Sequence, residues 1–70
     1  MQDKLIIGKI YKVNSSRKGK FVIKLTGQDE TWATGIIIKG MAKAILSYNV
    51  VCEGEEVNLR KELTSFELIK

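Results

Sequence analysis

The chain has no histidine, no proline and a single cysteine, and aromatics make up only 7% of its 70 residues. Each absence excludes something. Histidine is the side chain most often used as a general base near neutral pH and the commonest ligand of transition metals, and it is missing. Cys52 has no second cysteine to pair with, and without histidine it cannot make an ordinary zinc site. A lone thiol fits a reducing, cytoplasmic setting, and Cys52 reads as a buried residue with no chemical part. A carboxylate pair or an activated lysine remains as a catalytic route in principle. No spacing points to either, so no enzymatic activity, metal or cofactor is expected. Leu5–Ile7 is too short for a secretory leader, and no apolar run is longer than the three residues of Ile36–Ile38. A membrane helix is therefore excluded.

What the chain does have is cations, unevenly placed. The formal net charge is +4, but residues 1–24 alone carry +6 and the remainder carries −2. The segment "NSSRKGKF", Asn14 to Phe21, sets Arg17, Lys18 and Lys20 around Gly19 between two apolar runs. A basic surface of this kind suits a polyanion. The plainer alternative is a solvated lysine-rich loop.

Residues 1–70 read as one domain, near the lower size limit for a core without disulfides or metals. Leu5–Val13 is apolar and β-branched with a break at Gly8, which predicts a strand with a bend. Phe21–Thr26 alternates, with Phe21, Ile23 and Leu25 inward and Val22, Lys24 and Thr26 outward. Thr31–Ile38 predicts a third strand after the turn Gly27–Glu30. Past Gly40, Met41, Ala44, Ile45 and Tyr48 share one helical face, predicting a short helix over Met41–Tyr48. Met41 and Cys52 are expected in the core, Tyr48 as a cap on the barrel bottom, and Lys39 and Lys43 as solvation of the helix. Glu56–Lys61 and Ser65–Lys70 close the pattern, with Val57, Leu59, Phe66 and Leu68 inward. Three strands, a short helix and two strands make an all-β, five-stranded OB-fold barrel the expected architecture. An SH3-like barrel, with a short turn in place of the helix, is its rival.

The run "GKIYKVNSSRKGKFVIKLTGQD", Gly8 to Asp29, resembles the first hairpin of cold-shock domains. Gly8, Ile10, Asn14, Lys18, Gly19, Ile23 and Gly27–Asp29 match once one residue is inserted in the turn. "EGEEVNL", Glu53 to Leu59, resembles the glutamate-glycine turn that opens the fourth strand of that family. The segment from Trp32 to Glu53 is longer than in that family, and its expected helix is more similar to that of the bacterial initiation-factor-1 or S1-type OB domains. The resemblance implies an OB scaffold with a nucleic-acid-binding outer face. Where cold-shock domains stack bases on aromatics, this chain has Lys12, Lys20 and Val22, and Trp32 alone keeps an aromatic.

Those readings place Lys12, Arg17, Lys18, Lys20, Lys24 and Trp32 on one candidate surface for single-stranded DNA or RNA. Phosphates would bind the cations and a base would stack on the indole. Trp32 reads equally as a core or rim residue, and Tyr11 as a strand tyrosine with its hydroxyl at the rim. The acidic turn Glu53, Glu55 and Glu56 is expected to face away. The competing class is a protein-interaction module or inhibitor binding a protein partner, with a homodimer also open.

Overall fold

The computed structural model describes residues 5–16, 18–43 and 50–69. The chain forms β1 (Ile10–Ser15), β2 (Gly19–Gln28), β3 (Trp32–Gly40), β4 (Ala42–Lys43), β5 (Val50–Val51), β6 (Glu56–Arg60) and β7 (Thr64–Ile69). A 3-10 turn at Lys61–Leu63 joins the last two strands. Five strands make one antiparallel sheet in the order β6-β3-β2-β1-β7, and β4 pairs with β5 as a separate ribbon. Among the described residues no helix is long and apolar enough to cross a membrane.

The alternation of β2 does what its side chains predict. Phe21, Ile23 and Leu25 are buried, Lys20 and Lys24 exposed, and Val22 lies between. Tyr11 and Val13 of β1, Ala33 and Ile37 of β3, and Val57 and Leu59 of β6 complete the same core, with Leu5 and Ala42 at its margins. The Tyr11 ring meets Phe66 edge-on, with centroids 6.3 Å apart, and its hydroxyl accepts the Ile6 amide at 2.8 Å. Leu68, expected inward, is exposed instead. It sits on an edge strand, beyond the point where the curl covers the inner face.

Two register shifts bend the sheet, one between Val22 and Ile23 and one between Leu25 and Gly27. Extra residues of this kind sharpen local twist and let a sheet coil. The coil is large. In the register, Asn58 of β6 lies in the row of Thr34 and Gly27, nine positions along β2 from Lys18. On a flat sheet that is about 30 Å. Yet Lys18 Nζ donates to the Asn58 carbonyl at 2.8 Å. The β1–β2 hairpin tip therefore curls round to the β6 side.

Several sequence expectations are corrected. The strand expected over Leu5–Val13 begins at Ile10, because Gly8 turns at φ +95°; its amide still donates to the Leu25 carbonyl at 2.7 Å, which keeps the segment beside β2. The helix expected over Met41–Tyr48 does not start: Gly40, at φ +93°, redirects the chain, and Ala42 and Lys43 pair with Val51 and Val50 as strand. Ala42 enters the core, and Met41, the first anchor of the helical face, is 57% exposed. Residues 44–49, with Tyr48, lie outside the described residues. Cys52 is exposed, since the chain turns outward after β5, where the Cys52 amide donates to Glu55 Oε1 at 2.9 Å.

At Gly35 the sheet has no room for a side chain. A Cβ there would lie 2.8 Å from both Ile23 Cδ1 and the Lys24 carbonyl oxygen. The carbonyl is backbone in the central strand and cannot step aside. Gly35→Ala should therefore destabilise the fold by about 1–3 kcal/mol, the usual cost of overpacking. A thermal melt of the variant followed by circular dichroism measures this, and an unchanged midpoint would contradict it.

Candidate nucleic-acid interface

The outer face of β1, β2 and β3 follows from register. Val22 is opposite Lys12 on one side and Lys39 on the other. Lys20 and Lys24 lie two positions before and after it on the same face. Four lysines thus surround one half-buried valine, and all four are exposed. Across the strand pairs, Lys12 and Lys39 are separated by about 10 Å of backbone spacing, and Lys20 and Lys24 by about 13 Å. Among the described residues no carboxylate oxygen lies within 4.0 Å of any of these ammonium groups; the ion pair seen is Arg60 with Glu62, at 2.8 Å. The nearest acid in the register is Glu67, opposite Lys12 on β7. A shallow depression of about 310 Å3 beside it is lined by Lys12, Lys20, Asn14, Ser65 and Glu67 among others.

Of the six residues singled out from sequence, the structure brings Lys12, Lys20 and Lys24 together. Lys18 is drawn off, half-buried, with its ammonium on the Asn58 carbonyl. Arg17 lies outside the described residues. Trp32 is 43% exposed and shares the outer face, but at its far end. It precedes Ile36, the partner of Lys24, by four positions of β3, about 13 Å. Lys39 was missed because it was read as solvating the helix expected after Gly40. The extra residue Ile38 opposite Val22 and Ile23 shifts the β3 alternation by one and turns Lys39 onto the face. That shift leaves no clear mark in the sequence.

Aliphatic side chains separate the cations. Lys24 lies between Ile36 and Ile10, and Val22 lies between Lys12 and Lys39. The surface is a chequer of ammonium groups and apolar patches.

A side-chain turn holds Trp32 in place. Asp29 Oδ1 accepts the backbone amides of Thr31 at 2.8 Å and Trp32 at 2.7 Å, and the Asp29 amide donates to the Trp32 carbonyl at 2.9 Å. Such turns are a usual place for aspartate. These amides, first that of Trp32 and then that of Thr31, hold the Asp29 carboxyl below the ordinary aspartate range. Beyond the indole lie Thr34 and Asn58, with Thr34 Oγ1 donating to Asn58 Oδ1 at 2.7 Å. Arg60, opposite Trp32, is engaged by Glu62.

Compared with protein-family models, with curated proteins and with solved structures, the chain shows no match.

Two measurements check this geometry. The folded pKa of Asp29 lies below its unfolded value, so its contribution to the turn is complete above about pH 4 and fades as pH falls through the lowered value. A carboxyl titration by NMR should give Asp29 a midpoint below about 3.9; a midpoint above that would contradict the turn. Exposed Cys52 should react with a thiol reagent in the native protein about as fast as in the unfolded chain. Strong protection would place it back inside.

Proposed function

We propose that the protein is a non-enzymatic module that binds single-stranded nucleic acid, DNA or RNA, on the outer face of β1, β2 and β3. The observation that carries this reading is the group of four exposed lysines around Val22, with no carboxylate in contact among the described residues. Like charges placed together on a small domain repel, and a polyanion relieves that repulsion while its counterions are released. The aliphatic patches between them offer surfaces for unpaired bases. The face is the convex side of a curled sheet, on a molecule with a radius of gyration of 10.9 Å. A flexible single strand can follow such a curve, whereas duplex DNA, stiff over about 150 base pairs, cannot.

The strand order fits an SH3-like small barrel better than an OB-fold. The first three long strands and β6 run as a meander, and β7 returns after a 3-10 turn to the free side of β1. The binding role does not depend on the choice between these scaffolds, since both leave an outer sheet face open.

A second reading, a protein-interaction module or inhibitor, rests on a different surface. Ile6, Ile7 and Leu68 are all exposed. Leu68 is opposite Tyr11, whose hydroxyl holds the Ile6 amide, so it shares the inner side of the sheet with Tyr11 and not the lysine face.

A titration against single-stranded DNA, RNA and duplex over a range of salt separates the two readings. With about four phosphates engaged, the logarithm of affinity for single strands should fall with log salt at a slope near −3. Lys12→Ala with Lys39→Ala should flatten that slope by about 1.4 and weaken binding to all sequences alike. If this double variant binds like the parent at low salt, the lysine face is not the interface and the apolar surface takes precedence.

A further inference from the structure

A lysine face holds phosphates but does not read bases, because an ammonium is a point charge without directional pairing. At the Trp32 end the surface changes chemistry. Asp29, Trp32, Thr34 and Asn58 line a concavity of about 370 Å3. The bond from Thr34 Oγ1 to Asn58 Oδ1 orients the amide and leaves its N–H donors for a ligand. Both amides of the turn fall on Asp29 Oδ1, which leaves Oδ2 as a charged acceptor. Lys61 stands near Asp29, but its ammonium is held by Gln28 Oε1 at 2.8 Å. One wall is thus an exposed indole, one a carboxylate oxygen and one an amide donor.

We infer that this concavity is a base-reading subsite of the strand that the lysine face holds, and that it selects guanine; the inference rests on the function proposed above. Phosphate is repelled by Asp29, so a base and not the backbone enters. Among the four bases guanine alone sets two N–H donors side by side on its pairing edge, with a carbonyl acceptor beside them. Both donors converge on the two lone pairs of Asp29 Oδ2, and the acceptor meets the Asn58 amide. Thymine or uracil, cytosine and adenine each turn a lone pair toward the carboxylate where guanine turns a second donor. The purine ring also gives the indole the larger stacking partner. Trp32 and Lys24 are about 13 Å apart along the sheet, so one strand spans both subsites within a few nucleotides.

Trp32 is the one tryptophan of the chain, so its emission reports on this subsite alone. The test titrates the protein with thymidine octamers that carry dG, dA, dC or dT at one central position. The dG octamer should bind about tenfold more tightly than the all-dT octamer and quench the emission. Asp29→Asn keeps an oxygen for the two turn amides but turns the charged acceptor into an amide. It should remove the guanine preference and leave the salt slope unchanged, with a melt to verify the fold. A role in turn structure or overall charge would instead move all four octamers together. Equal affinities with unquenched emission would overturn the subsite while leaving the lysine face standing. A guanine preference that survives Asp29→Asn would overturn the assignment of Asp29. If no octamer binds even at low salt, both the subsite and the function it rests on fall.

Discussion

The contact between β2 and β3 at Gly35 governs the shape of the molecule. The missing side chain lets Ile23 and the Lys24 carbonyl close to 2.8 Å of where a Cβ would stand. Next to this approach the register slips twice, and the sheet bends around the point. Bending has opposite effects on its two sides. Inside, it gathers Ile23, Leu25, Ile37 and Leu59 into a core that a flat five-stranded sheet of this length could not enclose. Outside, it spreads the rows of Lys12, Lys24 and Lys39 over a convex surface. Core and lysine face are the two sides of one curvature.

This explains which parts of the fold were legible in the sequence. Alternation is local, and Phe21, Ile23 and Leu25 announced their orientation through it. The hairpin around Gly19 and the closing strands with Val57 and Leu59 were equally plain. The ribbon of β4 and β5 was not, because the spacing of Met41 and Ala44 fits a helix as well as a turn, and the deciding event is the positive φ of Gly40. Cys52 and Met41 looked like core residues by composition alone. Their exposure depends on where the chain leaves the sheet, which no local pattern encodes.

The candidate site was legible to a similar degree. Lys12, Lys20 and Lys24 follow from alternation plus one hairpin. Lys39 required knowing that β3 carries an extra residue at Ile38, a property of the pairing and not of either strand. By sequence Lys18 belongs to the exposed basic loop around Gly19. Its long stem instead lets the ammonium reach a carbonyl on another strand, so the residue serves the fold. For Trp32, sequence could not decide between core and surface, because both fit the start of a strand. Asp29 decides it by fixing the backbone on either side of the turn.

That bond from Lys18 also bears on how the molecule behaves in a crowded solution. A strand at the border of a sheet offers unpaired backbone groups that can recruit a strand from another molecule. On β6 the Asn58 carbonyl already accepts the Lys18 ammonium. An incoming chain would have to displace that ammonium and tolerate a positive charge in the middle of the new ladder. One lysine that ties the hairpin to β6 therefore also guards this border against edge-to-edge aggregation.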